Sequence, residues 1–326
     1  MEKRERLQAL DGLRAVFGMG IVIYHAGSAF GAPFSGALGP VYQYGGYFGN
    51  YFFFLLSGFL ANYQKVETGE GPFWGSLRKR LRRVYPVYAL SNLAMMVFET
   101  GALSLGRTCA TFLMVSTGGV FPTPYNFPGW FLCVLLLCGL VHEALRRLPD
   151  RRLCLALCAL LALGGAALEG LDGSVPLLSR VCGEGYLNYF LGVLLAEWLR
   201  RPGGPGRRFF WVVPGGLGAL GVLLGAEGLP GDFRWWITAF CAGLIPAVLG
   251  NRRLERWLSL PGLTDLGRCG LSLLLWHIPL CRLWVRTAGR VLVPSVSFGL
   301  YLTAVVVAAL LSRRYLEEGL RRLGRA

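Results

Sequence analysis

The sequence predicts an all-α polytopic membrane protein of about ten transmembrane helices, with its N-terminus and C-terminus both cytoplasmic. Three observations predict it. Of the 326 residues, 54% are hydrophobic and 16% charged, against about 25% charged in an ordinary soluble domain. Apolar runs long enough to cross a hydrocarbon core of ~30 Å recur along nearly the whole length. Basic residues fall in short clusters between those runs, on alternate connections.

The first span, about 13–30, follows Lys3, Arg4 and Arg6 and carries Arg14 near its start and His25 deep within it. The second, about 47–63, holds an aromatic run from Phe52 to Phe59. The third, about 84–100, follows the cluster Arg78, Lys79, Arg80, Arg82 and Arg83. Pro86 is expected to break the helix beside that cluster and fix its approach angle. The fourth, about 129–145, begins at Trp130, and the fifth, about 153–171, follows Arg151 and Arg152. Glu184, Asn188 and Glu197 interrupt the sixth, about 183–199, which has the weakest pattern. In the seventh, about 209–225, Gly215, Gly216, Gly218 and Gly221 fit close helix packing. The eighth is about 234–250, the ninth about 268–285 and the tenth about 297–315.

With the N-terminus inside, 27 of the 33 basic residues lie on cytoplasmic connections or termini. That asymmetry is what the positive-inside rule describes. It also explains the net charge of +15 without nucleic acid, since no continuous cationic face runs through the sequence. The N-terminus does not read as a cleavable signal peptide: the apolar run is too long, no Ala-x-Ala-like site follows, and Asp11 and Arg14 sit where it starts. The nine cysteines lack Cys-x-x-Cys spacing and mostly occupy apolar spans. They read as small core residues, and no metal site is expected.

Arg14 and His25 are the most informative pair. Eleven helical steps return to within about 20° of the same face, and at 1.5 Å per residue the imidazole lies roughly 16 Å further along the axis. Ionisable groups at such depth point to a functional site.

Four motifs carry a resemblance. They are Leu10-Asp11-Gly12-Leu13-Arg14 running to His25; Phe52-Phe53-Phe54-Leu55-Leu56-Ser57-Gly58; Arg80 and Arg83 with Tyr85-Pro86; and Ser272 to Trp276-His277-Ile278-Pro279. In this order and spacing they resemble the acyltransferase-3 family of integral-membrane O-acyltransferases. Trp130-Phe131-Leu132 opens the fourth span as in many members, although the serine-rich, acidic continuation common there is replaced by Cys133-Val134-Leu135. The resemblance covers nearly the whole chain and implies one transmembrane domain over 1–326. It implies transfer of an acyl group, usually acetyl, from cytoplasmic acyl-CoA to a hydroxyl of an extracytoplasmic glycan or related envelope molecule in the cell membrane. It also implies roles for Arg14 with His25, and for Arg80 with Arg83. Acetyl-CoA or another acyl-CoA is then a donor substrate, and no tightly bound cofactor is expected. No attached esterase-like domain is expected, so direct transfer or a separate extracytoplasmic transferase is implied.

Physical chemistry gives these residues matching tasks. Coenzyme A is a polyanion, and Lys79, Arg80, Arg82 and Arg83 form a cationic cluster at the cytoplasmic surface; arginine forks match phosphate oxygens bidentately. The alternative is that they are positive-inside anchors. His25 is the candidate general base, taking the hydroxyl proton as oxygen attacks the thioester. Arg14 either binds an anionic group of the donor or pairs with Asp11, three residues back on the same face. His277 either lines the cavity or bonds between helices, and His142, beside Glu143, reads as solvated. Tyr85, Trp130 and Trp276 read as interface or packing aromatics, with substrate contact as the alternative for Tyr85 and Trp130. Tyr42, Gln43, Tyr44, Thr123, Tyr125 and Asn126, on the outer connections about 31–46 and 101–128, suit sugar contacts. A reading from another class also stands. The fold resembles the membrane portion of certain vancomycin-resistance serine racemases, so Arg14 and His25 could serve a non-catalytic carrier or binding module for a small polar solute.

Overall fold

Helix α1 (Glu2–Phe30) joins the polar N-terminal residues and the first apolar run into one continuous helix. The computed structural model describes residues 2–65, 73–99, 101–116, 123–170, 175, 177–200, 215–216, 233–287 and 291–319. The other major helices are α2 (Ser35–Lys65), α3 (Phe73–Met96), α4 (Leu105–Phe112), α5 (Gly129–Leu145), α6 (Arg151–Glu169) and α7 (Arg180–Arg200). They continue with α8 (Phe233–Gly250), α9 (Arg252–Leu258), α10 (Pro261–Arg268), α11 (Gly270–Arg286) and α12 (Pro294–Ser312), closed by a π-helical turn at Arg313–Glu317. No strand occurs among the described residues.

Nine of the ten expected spans fall on helices. The seventh lies outside the described residues except for Gly215 and Gly216; a Cβ on Gly215 would come within 3.2 Å of the Gly243 backbone. Among the described residues, four helical segments are long and apolar enough to cross a membrane by length and composition: Gln8–Phe30, Arg151–Glu169, Phe233–Gly250 and Pro294–Glu317. The rest are less clear-cut for physical reasons. Helix α5 is apolar but has 17 residues; α3 begins with a basic stretch, and α7 carries Glu184, Asn188 and Glu197.

Two expectations are corrected. Pro86 lies inside α3 and does not break it. Neighbouring helices and local adjustment tolerate the lost bond of a proline in such bundles. Tyr42, Gln43 and Tyr44 lie on α2, not in a loop. The chain reverses within four residues after α1, using left-handed backbone at Gly31, Ala32 and Phe34 (φ 69°, 47° and 61°). Tyr42 then donates its hydroxyl to the Pro33 carbonyl at 2.8 Å.

Paired contacts define the helix directions. Gly18 abuts Leu273 and His25 meets His277, so α1 and α11 run parallel. Phe17 stacks on Phe52 while Gly27 abuts Tyr42, so α2 opposes α1. Tyr51 lies near Glu184 and Asn62 bonds to Val193, so α7 runs with α2. Arg151 bonds to Asn62 while Glu169 lies by Tyr51, so α6 opposes both. Likewise α3 opposes α5 through Arg80 against Gly139 and Tyr88 against Gly129, and α12 opposes α11 through Ser272–Ser312 and Trp284–Ser297. Helix α5 follows α7, with Val134 against Gly185 and His142 beside Tyr189. Helix α8 starts beside Tyr47 and leads into α9, which abuts Gly12. The basic residues Arg14, Arg80, Arg151, Arg200, Arg268 and Arg313 therefore gather at one end.

Lipid tails are as apolar as leucine, so close contact and interhelical hydrogen bonds hold such a bundle more than escape from water does. Gly58 lies under the Tyr189 carbonyl and Gly192 under the Leu55 carbonyl, which brings α2 and α7 into backbone contact. Phe54 packs on Phe131 with ring centroids 4.3 Å apart. Asn188 Oδ1 accepts from Thr238 Oγ1 at 3.1 Å, joining α7 to α8.

Candidate active site

His25 and His277 meet inside the bundle. Parallel packing of α1 on α11 brings their ring centroids to 5.2 Å with planes inclined 32°. His277 is fully buried. Its Nδ1 lies 3.1 Å from the Leu273 carbonyl one turn back, so that nitrogen carries the hydrogen and donates. Its Nε2 is then a lone-pair acceptor, buried and without a hydrogen-bond partner among the described residues. Tyr301 steadies the same turn by donating to the His277 carbonyl at 2.9 Å. His25 is half-buried, with the Tyr24 ring edge-on at 4.9 Å and Phe127 at 6.1 Å.

At the other end of the α1 stripe, Arg14 forms an ion pair with Asp11 through Nη1 and Oδ1. The second Asp11 oxygen accepts from Arg268 Nε at 3.3 Å, and Arg268 also bonds Asp265 at 3.1 Å. Asp11 thus sits between two arginines. Gly12 and Gly267 allow this approach: a side chain on either would strike the Leu258 or Asp11 backbone. Arg268 is 257 residues from Asp11. No local pattern links them.

The expected four-residue cationic cluster divides. Arg80 turns inward, half-buried, with its guanidinium against Gly139 and facing Tyr189. Lys79, Arg82 and Arg83 are exposed. Tyr189 also lies 3.4 Å from His142 Nδ1. His142 is 1% exposed, which corrects the solvated reading: it lies on the α5 face that packs against α7. Tyr85 is exposed and donates its hydroxyl to the Phe112 carbonyl at 3.1 Å. Trp130 is buried and packs near Phe54. Trp276 donates Nε1 to Ser312 Oγ at 2.9 Å, beside a bond from Ser272 Oγ to Glu317 at 2.7 Å.

The segment 123–128 departs most from expectation. Tyr125 and Asn126 are buried rather than presented to a sugar. Arg107 sits 4.3 Å over the Tyr125 ring, and the Tyr125 hydroxyl lies 2.9 Å from Thr108 Oγ1. Asn126 donates its backbone N–H to Asn92 Oδ1 at 2.8 Å and its amide to the Leu275 carbonyl at 2.7 Å. Phe127 is the neighbour this leaves against His25. Sequence reading had no signal for Phe127.

A second polar group inside the bundle was also missed. Glu169 and Glu184, 3% and 6% exposed, lie with the buried Tyr51 near Arg180 and Arg234. Its members come from α2, α6, α7 and α8, and only Glu184 stood out as an interruption of an apolar run.

A helical bundle with four membrane-length apolar segments and paired imidazoles inside defines an integral membrane protein built around an internal polar site. A family model, described as an acyltransferase domain, matches residues 7–313. The chain belongs to the acyltransferase-3 family of membrane acyltransferases. Comparison with curated proteins gives no match, and neither does comparison with solved structures.

Proposed function

We propose that this protein transfers an acyl group, acetyl being the simplest case, from cytoplasmic acyl-CoA to a hydroxyl of an extracytoplasmic glycan or other envelope molecule. The observation that carries the reading is the His25–His277 pair, set in the bundle at the opposite end of one helix face from Arg14. His25 takes the hydroxyl proton as the oxygen attacks the thioester carbonyl, and the departing coenzyme A thiolate is reprotonated. His277, with a free Nε2 lone pair, holds a hydrogen-bond donor beside that base. The half-buried Arg80 supplies charge for the donor phosphates at the basic end, beside the Arg14–Asp11 pair. The test is acetyl transfer from acetyl-CoA in membranes bearing wild type or His25→Gln. Equal rates in the two would sink the base assignment.

We further propose ten crossings of the cell membrane with both termini cytoplasmic. The clustering of arginines at one end supports it. So does the parallel course of α7 and α8, which begin at the same end of the bundle. A cysteine placed at Gly324 is expected to resist impermeant thiol reagents in intact cells; labelling from outside would overturn the topology.

One observation favours a second reading, a carrier for a small polar solute. Buried carboxylates such as Glu169 and Glu184 mark ion or substrate paths in many membrane proteins. A carrier moves solute without acetyl-CoA turnover, and the same membranes distinguish the two.

A further inference from the structure

Pro279 leaves a gap in α11. It has no N–H, so the carbonyl four residues earlier, that of Leu275, lacks its helical donor. Asn126 fills that vacancy from outside the helix at 2.7 Å. The same residue is held from behind by Asn92, which in turn donates Nδ2 to the Tyr88 carbonyl at 2.9 Å. Arg107 clamps the preceding residues through the Thr123 and Pro124 carbonyls at 2.9 and 3.3 Å. Behind Asn126 the chain enters α5 at once, with Gly129 N–H bonding the Asn126 carbonyl at 2.8 Å. Pro124, Tyr125, Asn126, Pro128 and Gly129 are all buried, yet Phe127 in their midst is 47% exposed. Its ring stands at 77° to His25 with centroids 6.1 Å apart.

The segment is firmly held and sets the Phe127 ring edge-on to His25, and a base needs a shield. An imidazole able to deprotonate an alcohol deprotonates water as well, and water attacking the thioester gives free acid and coenzyme A in place of the ester. We propose that Phe127 is a specificity-determining residue that keeps bulk water from His25 at the end opposite Arg14, and that Asn126 is the positioning residue that fixes it there through the carbonyl freed by Pro279. The inference rests on the transferase reading for its consequence, but not for its geometry.

Two measurements on the purified full-length protein separate those parts. The first is the rate at which diethyl pyrocarbonate carbethoxylates His25, read by peptide mass spectrometry. Only three histidines are present, and His142 and His277, both essentially buried, are internal controls. The second is release of coenzyme A from acetyl-CoA with no acceptor added. Phe127→Ala is expected to raise both rates about tenfold, equivalent to 1.36 kcal/mol in the cost of access. Asn126→Ala should do the same, and the double variant should add nothing to either. Pro279→Ala returns a helical donor to the Leu275 carbonyl, competes with Asn126, and should shift both rates in the same direction by less. Unchanged His25 modification in Phe127→Ala, with the controls also unchanged, overturns the shield. Faster modification without acetyl-CoA turnover in any form supports the shield and overturns the transferase.

Discussion

The two ends of the Arg14–His25 stripe differ in how their polar groups are satisfied. At the Arg14 end the charges keep company: Asp11 accepts from Arg14 and Arg268, and Asp265 accepts from Arg268 Nη1. At the His25 end the reverse holds. Among the described residues His277 Nε2 is buried without a partner, and His25 is set against the rings of Tyr24, Phe127 and His277. Leaving a buried polar atom unpaired costs about 1–3 kcal/mol. The first region reads as a hinge-pin that fixes α1 against α10 and α11, and the second as a vacancy held open for a reactant.

The largest expected break is at the vacant end. His25→Gln keeps volume and polarity but holds no proton, and should lower acyl transfer by about 10²–10⁴. Wild-type kcat/KM should rise with pH through one protonation of the free enzyme, because the base works deprotonated, and that rise should vanish in the residual activity of the variant. A stopped assay over pH 5–9 checks both.

At the basic end the inward residue should matter more than the outward ones. Arg80→Ala is expected to raise the acetyl-CoA KM about tenfold, comparable to losing one charged hydrogen bond. Gly139→Ala, whose methyl would occupy the place of the Arg80 guanidinium, should give the same defect with no charge removed. Lys79→Ala, on the exposed side, should change KM less than twofold if positive-inside anchoring is its task. Equal effects from Lys79 and Arg80 would restore the four-residue cluster as one phosphate seat.

The smallest effect sharpens the pin. Asp11→Asn weakens two ion pairs whose side chains are 17–38% exposed. After solvent screening it should cost about 1 kcal/mol of stability. A thermal unfolding midpoint in detergent reports it. If the catalytic pH profile moved as well, the two ends would be coupled and the contrast between them would fail.

Much of this was legible in the sequence because it is local. Apolar runs gave nine of the helices, and a spacing of eleven residues placed Arg14 and His25 on one face. What was not legible depends on distant partners or on backbone geometry. His277 and His25 carry no shared pattern, and Arg268 finds Asp11 only across 257 residues of sequence. Helix α2 begins at Ser35, since glycine and polar aromatic residues hide a helix from a hydropathy count. Asn126 looked like an open sugar contact because it lies in a loop between spans. Its true role depends on a carbonyl that Pro279 leaves bare in another helix.

The backbone contacts between α2 and α7 bear on how the molecule moves. Gly58 and Gly192 each sit beneath a main-chain carbonyl of the opposite helix, so neither helix can slide or roll on the other without driving backbone into backbone. Helix α6 joins the same block through Gly165 and Gly183, which face each other at similarly close range. Any opening that admits donor or acceptor must therefore run along other seams. The seam between α1 and α11 is closed at depth by facing imidazole rings instead of touching main chains, so on the transferase reading it is the seam that can part with the α2–α6–α7 wall unmoved.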